Sequence, residues 1–179
     1  MVRVAFTTFA IMKGPYGDPQ VEGFEILTPP VFNASENAEG FIARAHEIDS
    51  NDHLSNFERD WGEWGLFAVP RFYDGGFETA TDTRASTLSL WQSLEAVHHF
   101  VYTGLHRHAL DQRKKWFRKP QWPSYAIWWV DDTHVPTWSE ACKRLELLHD
   151  NGSTPDAFNF HKMFDSEGRE TVRSHAKIT

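Results

Sequence analysis

Stretches whose apolar residues alternate, separated by stretches whose apolar residues recur every three or four positions, leave this chain few folds to choose from. In residues 2–10, Val2, Val4, Phe6 and Thr8 alternate with Arg3, Ala5 and Thr7, the period of a strand. Gly14, Pro15, Gly17 and Pro19 end it. Residues 20–38 carry a loose helical stripe (Val21, Phe24, Leu27, Val31) that Pro29 and Pro30 are expected to kink or split. A second strand is predicted over 40–48, a third over Arg84–Trp91 and a fourth over Tyr125–Val130. Ser93 suits an N-cap, with Glu95 in the first turn, for a helical stretch reaching about Phe117. Thr137 or Ser139 starts a last helix with Ala141, Leu145 and Leu148 on one stripe and Gly152 as its stop.

That order predicts an α+β fold, a ferredoxin-like antiparallel sheet with helices on one face. One domain is expected over residues 1–164, followed by a polar, fraying tail over 165–179. The other sheet face needs cover, and a second copy of the chain is the expected partner, giving a homodimer. Between Asp49 and Asp82 lies an insertion rich in Gly and aromatic residues, "ERDWGEWGLFAVPRFYDGG" included. Its aromatic content argues for a folded lid, or for an extra strand near Leu66–Val69.

Composition narrows the function. Eight Trp and fourteen Phe either fill a core or wall a pocket for a flat apolar ligand. The net charge of −7, with only Arg113–Lys114–Lys115 as a short basic run, argues against a nucleic-acid partner. The single cysteine, Cys142, leaves neither an internal disulfide framework nor a cysteine zinc site. No segment approaches the roughly 18 apolar residues of a membrane span, and the N-terminus reads as a strand rather than a signal peptide. A cytoplasmic protein without membrane partners is the expectation.

Four of the ten histidines fall between His98 and His108. On one ideal helix His106 and His108 point roughly 200° apart. None of the four has a histidine at i+4, the spacing at which two imidazoles share a zinc, so no metal site is assigned. Thr103–Gly104 is a weak point at which the helix is expected to bend. Beyond it His106, Leu110, Arg113 and Phe117 share one face, with Trp116 beside them. An apolar face carrying one His and one Arg suits either a helix looking into a cavity or a satisfied core histidine.

The ordered motifs Leu88–Ser93 (Leu-Ser-x-Trp-x-Ser), Phe100–Tyr102, His106, Trp116–Phe117, Ile127–Val130, His134–Thr137, Glu140–Ala141 and Gly152–Phe158 resemble a domain-of-unknown-function family found in bacteria and fungi. That family in turn resembles the dimeric α+β barrel superfamily of antibiotic biosynthesis monooxygenases, which also holds haem enzymes, isomerases and dehydratases. The resemblance implies a natural-product tailoring enzyme, either a cofactor-free monooxygenase or a cyclase or isomerase. His106 is the expected acid–base group, with Arg113 for an anion, Tyr102 as a hydrogen-bond donor and His134 as either a second acid–base group or a capping side chain. Trp91, Trp116, Phe117, Trp128, Trp129 and Trp64 are the expected pocket walls, with Trp128 and Trp129 on opposite faces of their strand. No cofactor is required; the alternatives are a haem protein with a histidine axial ligand and a non-catalytic binding module.

Overall fold

The computed structural model describes residues 1–50, 55–73 and 84–171. Strand β1 (Val2–Ile11) is followed by helix α1 (Glu22–Glu36) and a short β2 (Phe41–Arg44). Then come β3 (Arg84–Trp91), α2 (Leu94–Tyr102), α3 (Gly104–Trp116), β4 (Tyr125–Asp131) and α4 (Trp138–Asn151). The sheet order is β2-β3-β1-β4, antiparallel throughout. This is a ferredoxin-like α+β arrangement: two split strand–helix–strand units with β1 and β3 in the centre.

The pleat sorts side chains into two layers. Val4, Phe6, Trp91 and Ile127 face α2, where they meet Leu94, Val97 and Val101. On the same side α1 lies against α3 through Phe24, whose ring sits 6.2 Å from Trp116 and 5.0 Å from Phe117. The helices of the strand–helix–strand units thus share one face, as expected.

The other face is not left for a second subunit. Ala5, Leu88, Leu90 and Trp128 are covered by Trp138 and Ala141 of α4 and by Trp61, Trp64 and Phe67 of the insertion. Burying this face therefore needs no second copy of the chain. In the insertion, residues 62–64 form a 3-10 turn, and the strand expected at Leu66–Val69 does not form. There Phe67 is buried against the sheet while Leu66 is 81% exposed, so the segment pays out ring by ring onto the face instead of pairing at an edge. Residues 51–54 and 74–83 of the insertion lie outside the described residues.

Two further expectations change. Helix α1 runs unbroken through Pro29 and Pro30. Both prolines are exposed, so the carbonyls of Glu25 and Ile26, which they leave without a helical donor, lie on the wet side. Nor does order end at residue 164. Met163–Phe164 (β5) pairs with Glu170–Thr171 (β6), and Asp165 closes the turn by accepting from the Glu167 and Arg169 amides. Residues 172–179 lie outside the described residues. Among the described residues no helix is long and apolar enough to cross a membrane.

Candidate functional site

The break between α2 and α3 positions the opening histidines. Ser93 caps α2 by accepting from the Ala96 amide at 3.1 Å. At its far end Thr103 is extended (φ −127°, ψ 172°), its hydroxyl donating to the His99 carbonyl at 2.8 Å. Gly104 then takes φ +52°, a left-handed conformation that a side chain disfavours, and α3 leaves at a new angle. The bend lies where the sequence places it.

The corner folds His106 back onto the end of α2. Its Nδ1 lies 2.9 Å from the Val101 carbonyl oxygen. A carbonyl only accepts, so Nδ1 carries the proton and Nε2 keeps the lone pair. The imidazole sits 4.8 Å from the Phe100 ring, and Phe100 stacks on Trp91 at 5.1 Å. Burial pushes the pKa of His106 below the ordinary imidazole value, against the opposing effect of the Val101 hydrogen bond. At neutral pH the side chain is therefore an uncharged base with a fixed tautomer. Trp91 is itself fixed: its Nε1–H donates to Ser89 Oγ at 2.9 Å, and that hydroxyl donates on to the Phe6 carbonyl at 3.3 Å.

A cleft between the sheet and the α1–α3 pair is lined by Trp91, Phe100, Tyr102, His106, Leu110, Arg113, Trp116 and Phe117, with Leu27 and Val31 of α1 opposite. The connected space totals about 1330 Å³. Its lining passes round the start of β3 to Trp61 and Trp138 on the second face, so only part of that volume lies beside His106. Tyr102 packs its ring 4.6 Å from His98 and 5.7 Å from Phe160. Arg113 is exposed at the rim, with Nη1 donating to the Leu110 carbonyl at 2.7 Å. It lies seven positions beyond His106 on the helix, a rise of about 10 Å, so the two do not act on one atom. His108 is exposed on the other side of α3.

Four of the expected residues stand elsewhere. Trp128 is fully buried on the second face, its Nε1–H donating to Glu140 at 2.9 Å. Trp129 does turn to the opposite face, where it stays half-buried and donates to the Phe164 carbonyl at 2.8 Å. Trp64 belongs to the core under the insertion. His134 lies on the turn after β4, its Nε2 2.7 Å from Glu140 and its side chain 47% exposed. Trp128 and His134 thus meet at Glu140, which also accepts from Arg144 at 3.4 Å. Burial raises the Glu140 pKa, but the hydrogen bonds and charges of His134, Trp128 and Arg144 outweigh it and hold the carboxyl below its usual range. Glu140 occupies the third residue of α4, where Thr137 caps its amide at 3.2 Å. Sequence reading gives it no role because the motif looks like a capping box, whose glutamate normally turns back to the helix start. Phe100 escaped too; its signal was its place in the Phe-Val-Tyr motif one turn before the bend. Among the described residues no three His, Cys, Asp or Glu side chains are grouped to hold a metal ion.

The chain is similar in shape to a crystal structure of a protein of unknown function from Nitrosomonas europaea, with a TM-score of 0.42 and 9% identity over 75% of this chain and 93% of that one. No curated protein matches it. Residues 3–174 match the family model described as a domain of unknown function, DUF3291. The chain belongs to the DUF3291 family.

Proposed function

We propose that this protein is a small-molecule tailoring enzyme in which His106 Nε2 takes a proton from a ring-bearing substrate held in the cleft beside α3. The observation that carries this reading is the state of His106: neutral, tautomerically fixed by Val101, and set against stacked rings on the wall of a cleft. Such a base is deprotonated and ready to accept at neutral pH, but burial weakens it, so the reading calls for a substrate with an acidic proton, a phenol or an activated C–H. The proton moves to Nε2 and leaves an electron-rich anion on the substrate. That anion either gives an electron to dioxygen, as in cofactor-free oxygenation, or attacks its own carbonyl, as in cyclisation. The class is suggested by the resemblance expected between this family and the antibiotic biosynthesis monooxygenase-like superfamily.

The test is a panel of phenolic fused-ring compounds, with oxygen uptake and products followed by mass spectrometry. His106→Ala is expected to slow turnover about a hundredfold or more, the scale of a lost general base, while His108→Ala stays within a few-fold. Equal rates in wild type and His106→Ala would overturn the assignment. A second reading rests on the same tautomer: a ligating histidine commonly donates its other ring N–H to a backbone carbonyl, so Nε2 of His106 would be the atom to hold a haem iron if the cleft took one. A Soret band that appears on haem addition and is lost in His106→Ala would select that reading.

A further inference from the structure

We infer that the ligand of this cleft is an amphipathic organic anion: a fused-ring body beside Trp91 and Phe100, and a carboxylate or comparable acidic group about 10 Å away at a cationic rim. This rests on the reading of the cleft as a substrate site and names the class of substrate. After α3 the chain returns along the end of β1. The Lys13 amide donates to the Trp116 carbonyl and the Arg118 amide to the Ile11 carbonyl, each at 2.8 Å. That crossing gathers Lys13, Arg113, Lys114, Arg118 and Lys119 around one end of the cleft, all of them exposed and all in its lining. None forms an ion pair with a carboxylate among the described residues, whereas Arg107 and Asp111 of the same lining neutralise each other at 3.1 Å.

In a chain of net charge −7 this is a concentrated positive field. The helix end explains only part of it. Arg113 and Lys114 belong to the last turn of α3, where cations offset the carbonyl dipoles. Arg118 and Lys119 lie past that turn, and Lys13 comes from the bend that follows β1. Toward His106 the lining is aromatic and aliphatic, so the cleft is apolar at one end and cationic at the other. The two helical turns between His106 and Arg113 set the ring-to-acid distance. A flat acid satisfies both ends; a neutral ring compound leaves the rim idle.

The experiment titrates the protein with anthraquinone-2-carboxylate and with its neutral counterpart 2-(hydroxymethyl)anthraquinone, following tryptophan fluorescence. At about 20 mM salt the acid is expected to bind roughly tenfold or more tightly, and the ratio should fall toward unity at about 500 mM, where the screening length is only a few ångströms. The double variant Arg113→Gln/Arg118→Gln should lose most of the ratio at low salt, whereas Lys143→Gln on α4 should keep it. Equal affinity for the two probes in the wild type overturns the inference and leaves the His106 reading standing. Binding of neither probe overturns both. A preference that survives high salt and the double variant also overturns the rim assignment.

Discussion

Replacing Glu140 by Leu keeps the methylene stem and the volume but removes the carboxylate at the centre of the α4 cluster. The indole N–H of Trp128, fully buried and 2.9 Å from that carboxylate, is then left without an acceptor. An orphaned buried donor costs about 1–3 kcal/mol. The partners His134 and Arg144 add less, since their side chains are 47% and 25% exposed and solvent screens them. Loss of a negative charge in the first turn of α4 contributes up to about 1 kcal/mol more. We expect a total near 2–4 kcal/mol, or a fall in Tm of roughly 5–15 °C for a domain of this size. The measurement is urea unfolding of wild type and Glu140→Leu at several pH values. In the folded state the Glu140 pKa is depressed, so its ionic contribution is present above the unfolded value near 4.3 and is lost as pH falls through the folded one. The difference between the two proteins should therefore be full at about pH 6–7 and narrow below about pH 4. It should not vanish there, because a protonated carboxyl still accepts from the indole. A difference under about 0.5 kcal/mol at neutral pH would refute this account of the cluster.

Two other outcomes follow from the α2–α3 corner. Gly104→Ala should cost about 1 kcal/mol, entirely through φ +52°, because nothing lies within 4 Å of the added Cβ; Gly104→Asn, which tolerates this region better, should cost less, and equal thermal melts for both variants and wild type would contradict the bend. The folded His106 pKa lies below the unfolded one near 6.5, so the unfolded chain binds more protons and stability falls as pH drops from about 6.5. His106→Gln should remove that part of the slope between about pH 7.5 and 5.5, and an unchanged slope would show that this imidazole does not titrate abnormally.

Periodicity and local stereochemistry made much of the fold legible. Strands β1, β3 and β4, the cap at Ser93, the bend at Thr103–Gly104, the cap at Thr137 and the stop at Gly152 are local features that stand where the sequence puts them, whereas β2 keeps only Phe41–Arg44 of the expected 40–48. The stripe on α4 was equally readable, with Ala141, Leu145 and Leu148 buried together. What failed depends on tertiary context. Pro29 and Pro30 do not split α1, whose freed carbonyls lie on its exposed side, and solvent exposure is not written in the local pattern. The alternation of Trp128 and Trp129 told that they part, but not that Phe164 and Glu140 would each close over one of them. His106 was readable as a face of α3; its carbonyl partner and protonation state came from a fold-back around Gly104 that no spacing rule supplies.

The central place of β1 has a consequence for how the chain reaches this state. Thr8 pairs with Thr87 and Phe6 with Ile127, so both partners of β1 lie far downstream. Val4 and Ala5, on opposite faces, have no exposure at all once the sheet is complete. During synthesis at about 5–20 residues per second, roughly 120 residues must follow Phe6 before its second partner exists, a wait of about 6–24 s. Through that interval β1 is a two-sided apolar strand with open edges, the kind of segment that pairs with other chains. Contacts this distant in sequence also make for slow closure of the sheet. Yield on expression should therefore respond more to growth temperature and chaperone supply than the buried core of the finished molecule suggests.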